Sequence, residues 1–450
     1  MGYRFPMPSG EERVPTSRIL TYSAPLLAIF TSNALMGLYL LKFSTDVLLL
    51  APALVGTILL AARVWDAVSD PLVGYLSDRT HTRWGRRRPW FAASALPLGL
   101  AIVALWSPPP SLEGAGLGIW FAVAVLAYYT AYTCFRVPHM AMGAELSRGY
   151  HDRTRVFGVM QVVENVGMGF GAVALYFLEG ASDQRPFAAT LSIGVAIGVT
   201  LLIGIATVQI RERTEFQGRG GTTPFSSFRD VFSNPHSRLL VAIFFAEQLG
   251  FSSLIVLLPY LSDYVILTPG STAIYAGTTL GAMALSIPFW VVFARRVGKQ
   301  RAWLLTVSAK VFGFAWMFTL AEGDFGQLIA TTAIFGVLTG CGAVVGPSLK
   351  ADVIDWDEAR TGERKEGAYF ATWNFAQKGA AGIAIWVVGT ILAMTGYVPN
   401  VAQSEETLTG IRWLTAVWPA ALHILAALLI TRFGLDEAAH SQARREAESR

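Results

Sequence analysis

Arg63-Val64-Trp65-Asp66-Ala67-Val68-Ser69-Asp70-Pro71 lies inside an apolar run from Pro52 to about Leu76, long enough to cross a bilayer. Carboxylates are costly in hydrocarbon, so an acidic pair at this depth reads as a functional site by default. Asp66 and Asp70 stand four residues apart, which puts them on one helix face, with Arg63 a turn before Asp66. Ser69 adds a hydroxyl beside them. Two carboxylates and a hydroxyl suit a hard monovalent cation or a proton. A structural ion pair with Arg63 is the plainer alternative, but one arginine does not neutralise two aspartates.

The surroundings of that run settle the class. Of 450 residues 53% are hydrophobic and only 15% charged, too little charge to clothe a soluble surface of this size. The formal charge of +4 is no nucleic-acid signature, because the arginines sit in short loops between apolar runs, and no nucleic-acid partner is expected. Cys134 and Cys341 both fall in apolar runs and supply no disulfide framework. Met1 to Arg18 is polar without a signal-peptide core.

Twelve spans are expected, near 21–48, 52–76, 89–107, 115–140, 156–178, 187–209, 238–264, 271–295, 301–321, 326–349, 366–394 and 411–433. The longest polar connection, 210–237, carries Arg211, Glu212, Arg213, Glu215, Gly218, Gly220 and Gly221, then an amphipathic piece around Phe225 to Phe232. The expected organisation is therefore an all-α protein of two six-helix bundles, 1–209 and 238–434, with a cytoplasmic linker at 210–237 and a cytoplasmic tail at 435–450. Basic residues crowd the even-numbered connections (Arg79 to Arg88; Arg148, Arg153 and Arg155; Arg295 to Arg301), and acidic ones the odd, which predicts both termini in the cytoplasm.

The loop Ser77-Asp78-Arg79 through Gly85-Arg86-Arg87-Arg88-Pro89, preceded by Gly74, resembles the cytoplasmic signature of the major facilitator superfamily. Asp78, Arg79, Arg86 and Arg87 are the candidate gating residues: Asp78 pairs with basic groups of neighbouring helices and clamps one conformation. A plain positive-inside loop is the simpler alternative. Arg295-Arg296-Val297-Gly298-Lys299 is its weak echo in the second half.

Three stretches narrow the resemblance: Trp65 to Pro71, Arg83-Trp84-Gly85-Arg86-Arg87-Arg88-Pro89-Trp90, and Gly396-Tyr397-Val398-Pro399-Asn400-Val401-Ala402-Gln403-Ser404. With Tyr39 to Val47 and Ala351-Asp352-Val353-Ile354-Asp355 they resemble the glycoside–pentoside–hexuronide cation symporters, which include the melibiose permeases. The resemblance runs from Thr21 to about Phe433 and implies a major facilitator fold. It implies cation binding, with sodium as the metal, at Asp66 and Asp70, an oxygen from Thr133 in the fourth span, and Lys378 in the eleventh span nearby. Ser69 stands where melibiose permeases carry an asparagine that favours sodium, which leaves sodium and proton both open.

The sugar-gripping positions of those permeases do not carry over. They fall here at Phe30, Arg136, Met140 and Met160, so an acidic hydroxyl-binding cage is replaced by apolar groups and one cation. Thr133-Cys134-Phe135-Arg136-Val137-Pro138 and Val163-Glu164-Asn165-Val166-Gly167 are locally similar to the animal sodium-dependent lysophosphatidylcholine symporters.

Other ionisable residues in the spans are candidate substrate contacts. Arg136 suits a carboxylate, sulfonate or phosphate, or pairs with Glu164. Glu247 binds substrate or pairs with Lys378. Asn374 shares a helix face with Lys378, and Trp373 lies beside it. Lys42 and Lys310 read as snorkelling side chains, and His139 as a helix-end residue after Pro138. The glycine-rich runs at Gly167 to Gly171 and Gly336 to Gly342 let helices approach closely and slide, or simply pack.

No enzyme signature appears, and no cofactor is expected beyond a coupling ion, sodium or proton. The expectation is a monomeric symporter embedded in lipid, of a bacterial inner membrane, working by alternating access. Its substrate is a glycoside or uronide, or alternatively a lysophospholipid or similar anionic amphiphile with its head group on Arg136. A proton-driven exporter of the same fold and a transport-dead sensor are the competing readings from other classes.

Overall fold

The computed structural model describes residues 14–146, 150–210, 212, 231–362 and 366–434. The expected tail, most of the expected linker with Arg211, Arg213, Glu215 and its glycines, the piece around Phe225, and Arg148 lie outside the described residues. The apolar runs are helices: α1 Thr16–Leu38, α2 Pro52–Arg79, α3 Arg88–Trp106, α4 Gly114–Glu145, α5 Tyr150–Glu179 and α6 Gln184–Gln209. There follow α7 Pro235–Tyr260, α8 Thr272–Val297, α9 Lys299–Met317, α10 Phe325–Thr361 and α11 Glu366–Met394. The last span is α12 Glu405–Arg412, continued through a π-helical turn, Trp413–Val417, into α13 Trp418–Ile430.

Among the described residues eleven helical segments are long and apolar enough to cross a membrane. The remaining expected span is α9, a 19-residue helix that Gln300, Arg301 and Lys310 make less apolar than the rest. Pro138 and Pro347 end no helix, because packed neighbours tolerate a proline inside a membrane helix. α4 therefore runs on to Glu145, and α10 continues past Lys350, Asp352 and Asp355 until Gly362, at φ +71°, turns the chain. His139 is accordingly inside α4 and fully buried, its ring stacked on Tyr22 at 4.1 Å, rather than at a helix end.

The chain separates into two compact units. One comprises Met1–Leu35, Val68–Ala174 and Asp183–Thr222; the other comprises Met36–Ala67, Leu175–Ser182 and Thr223–Arg450. α2 passes from the second to the first between Ala67 and Val68. In the first unit α3 packs on α4 and α6, and α5 closes on α1 through glycine: a Cβ on Gly167 would stand 2.5 Å from the Leu27 carbonyl oxygen. In the second, α8 lies along α10, where a Cβ on Gly336 would strike the Thr279 carbonyl and one on Gly340 the Ser286 hydroxyl. Both glycine runs are places of backbone-to-backbone packing.

A repeat shows in two turns of the second unit. After α1 the chain forms a short helical turn, Leu40–Lys42, and a π-helical turn, Phe43–Val47; after α7 it forms another, Leu261–Val265. Leu48 N–H donates to the Phe43 carbonyl and Leu50 N–H to the Ser44 carbonyl, at 3.0 and 2.9 Å. Ile266 and Thr268 repeat this to Leu261 and Ser262, at 3.0 and 2.8 Å. Each turn then puts a leucine in the left-handed region, Leu49 at φ +58° and Leu267 at φ +57°.

Candidate functional site

The acidic helix α2 carries Asp66 and Asp70 one turn apart, and each is held within its own unit. Asp66 is fully buried in the second unit, with Lys378 of α11 at 2.9 Å and Arg63 at 4.0 Å. Gly382, one turn beyond Lys378, makes this approach of α11 to α2 feasible: a Cβ there would lie 2.9 Å from the Arg63 Cβ. In the first unit the hydroxyl of Thr133, from α4, donates to Asp70 at 3.1 Å, and both Thr133 and Ser69 are buried. Asp66 thus faces fixed cations of the protein, and Asp70 accepts a hydroxyl of α4.

Arg136 and Glu164 form an ion pair at 2.7 Å between α4 and α5, and the guanidinium lies over the Phe30 ring at 5.4 Å. Two of the sugar-gripping positions thus share one contact, while Met140 is exposed and Met160 buried. On the C-terminal helices Glu247 pairs with Lys310 of α9 at 2.7 Å and accepts from the Trp303 indole at 3.1 Å, rather than reaching Lys378. Lys310 is buried and does not snorkel. Its position near the middle of α9 leaves the ammonium far from either end, so a carboxylate at its own depth serves it instead. Trp373 is buried, and Asn374 is exposed.

Lys42 also departs from the snorkelling reading. It is buried, 2.9 Å from Asp46 and 2.8 Å from Asp263, over the Tyr264 ring. Asp46 further accepts the hydroxyls of Thr45, Tyr264 and Tyr397 at 2.6–2.7 Å. A carboxylate with so many donors has its acceptor capacity filled. The sequence clue was available: Lys42 and Asp46 stand four apart.

The arginine loop folds around acids that the motif alone does not name. Arg86 and Arg87 reach Glu145 at 2.6 and 2.8 Å, and Arg87 reaches Asp78 at 3.2 Å. Glu212 accepts the backbone N–H groups of Arg86, Arg87 and Arg88 at 3.0, 2.7 and 3.0 Å, sealing the start of α3. Gly85, at φ +109°, admits that carboxylate: a Cβ would stand 2.5 Å from it. Burial pushes the Glu145 carboxyl up from its ordinary range, against the pull of Arg87 and Arg86. Arg79 stays apart, its guanidinium on the Tyr75 ring of its own helix.

A family model described as MFS/sugar transport protein matches residues 21–437. The isoprimeverose transporter of Lactiplantibacillus pentosus is 27% identical over 94% of this chain and 90% of that protein. The putative glycoside/cation symporter YagG of Escherichia coli is 26% identical over 88% of this chain and 87% of its own. The sodium-dependent lysophosphatidylcholine symporter 1 of Xenopus tropicalis is 25% identical over 90% and 85%. Among solved structures, the nucleoside transporter NupG and a D-xylose–proton symporter each superpose with a TM-score of 0.67. They cover 93% of this chain, and 99% and 97% of theirs, at 12% and 13% identity. That likeness fixes the architecture as the major facilitator fold, and the relatives with stated functions are transporters rather than enzymes.

Proposed function

We propose, from the premise that this chain belongs to the MFS/sugar transport protein family, that it is a cation-coupled symporter working by alternating access. The observation that carries the coupling is a pair of carboxylates one turn apart within a membrane helix, set among oxygens and cations of the protein. Asp66 is buried against Lys378 and Arg63, and Asp70 accepts the hydroxyl of Thr133. A sodium ion or a proton neutralises Asp70: Thr133 turns its lone pair to a sodium ion, or keeps donating beside a protonated carboxyl, with the Ser69 hydroxyl next in sequence. The ion is cargo and leaves with each cycle. Substrate and ion bind cooperatively, each tightening the other by the same factor.

The substrate is a glycoside or uronide, the class to which the isoprimeverose and glycoside relatives point. A lysophospholipid is the second reading, supported by the vertebrate relatives and by the apolar residues Phe30 and Met140 at the sugar-gripping positions. The proposed setting is a bacterial inner membrane with both termini in the cytoplasm and a monomeric protein of two six-helix bundles.

Proteoliposome uptake of labelled methyl β-D-glucuronide, methyl β-D-glucoside and lysophosphatidylglycerol under an imposed sodium or proton gradient tests this. Uptake above the equilibrium level under one gradient, lost in Asp70→Asn, is the expected result. Uptake that either gradient opposes would mean antiport, and equal levels with and without a gradient would sink the coupling.

A further inference from the structure

The second unit contains a cavity of about 320 Å³ between α7, α9, α10 and α11. Its wall carries two kinds of charge. Glu247 and Lys310 cancel one another at 2.7 Å. Lys350, from α10, also lines the cavity, and among the described residues its ammonium meets aromatic faces rather than a carboxylate: Phe244 at 5.0 Å and Trp373 at 5.4 Å. Two rings orient an ammonium, but they neutralise nothing. Among the described residues the cavity thus holds one positive charge without a counter-ion inside a membrane helix bundle, where such an ion is costly.

The polar atoms beside it point the same way. Thr339 lines the cavity, and its hydroxyl oxygen is buried with no hydrogen-bond partner among the described residues. Gln248 and Gln377 add amides, while Phe244 and Phe251 supply apolar wall. A group that accepts from an ammonium, a hydroxyl and amides, and is attached to a ring or chain that packs on phenylalanine, completes this cavity. Arg136, the other candidate for an anion, is already held by Glu164 at 2.7 Å.

We infer that Lys350 binds the anionic group of the transported solute, so that the substrate is an acid: a carboxylate or phosphate carried on a sugar ring or an acyl chain. The inference rests on the transport reading for the cavity's role, and it narrows that reading from glycosides in general to their acidic members or to anionic lysolipids. It assigns recognition to a residue of α10 that the expected span, ending at 349, left outside the membrane.

The test uses two pairs of probes that differ only in the anion. One pair is methyl β-D-glucuronide and methyl β-D-glucoside; the other is 1-palmitoyl lysophosphatidic acid and 1-palmitoylglycerol. Dissociation constants come from thermal stabilisation of the purified full-length protein. The wild type is expected to favour the acid of one pair by tenfold or more, and that pair identifies the source of the anion. Lys350→Met should erase the preference and Lys350→Arg should keep it. Equal affinity for acid and neutral partner in the wild type, binding of neither pair, or an undiminished preference in Lys350→Met would overturn the inference. The wild-type ratio decides even where a variant folds poorly. Binding at equilibrium needs no gradient, so acid preference without gradient-driven uptake would overturn the symport reading and leave Lys350 standing.

Discussion

At the scale of single residues, the two aspartates of α2 should respond differently to neutralisation. Asp70→Asn is expected to abolish gradient-driven uptake while the melting temperature in detergent stays near that of the wild type. Asp66→Asn removes the buried carboxylate that Lys378 and Arg63 face and should lower the melting temperature. Asp66→Asn combined with Lys378→Met should recover part of that loss. The same logic predicts that Lys310→Met destabilises by about 3 kcal/mol or more, and that adding Glu247→Gln restores much of it, read by thermal unfolding. Asp66 and Asp70 were legible because a carboxylate pair in an apolar run is conspicuous. Lys310 was not, since its rotation about α9 decides whether it meets Glu247 or lipid, and spacing along one helix carries no information about the neighbour. Lys350 was missed for a simpler reason: nothing between Leu349 and Thr361 stops α10, yet the drop in hydropathy there read as the membrane's edge.

At the scale of the element, the start of α3 depends on Gly85 and Glu212 together. Gly85→Ala places a Cβ against the Glu212 carboxylate at a φ that non-glycine residues rarely adopt. It should cost about 2 kcal/mol and increase trypsin cleavage after Arg86 and Arg87, whereas Glu212→Gln, which keeps one acceptor oxygen, should cost about half as much. The raised Glu145 pKa has a defined sign. A carboxyl that holds its proton more tightly when folded contributes stability as pH falls through its folded value towards the ordinary 4.5, and loses it as pH rises. Melting curves of the wild type minus those of Glu145→Gln should therefore rise over that window. In the paired turns, Leu49→Val should destabilise by about 1 kcal/mol and Leu49→Asn should be nearly neutral, because β-branching aggravates the left-handed conformation and asparagine tolerates it. Helices were legible from apolar length alone. These turns were not, since nothing in Phe43 to Leu50 has the glycine or asparagine that a left-handed residue usually announces.

At the scale of the whole molecule, the six-plus-six arithmetic of the spans anticipated the major facilitator fold, and the arginine loops hinted at a repeat. The hydrogen-bonded turns supply the register, aligning Phe43 with Leu261, Ser44 with Ser262, and so Asp46 with Tyr264. Asp46 and Tyr264 are also in direct contact, the phenol donating to the carboxylate at 2.6 Å. Tyr264→Asp would set a carboxylate against Asp46 beside Asp263. It should lower the melting temperature more than Tyr264→Phe, because like charges then meet where a donor met an acceptor. Equivalent positions of a two-fold repeat touch only where the rotation axis passes between them. Two aspartates meeting there would repel, and two tyrosines would bond phenol to phenol, as Tyr397 and Tyr264 do at 2.9 Å. The present pair, one donor and one acceptor, places a charge-assisted hydrogen bond at that point.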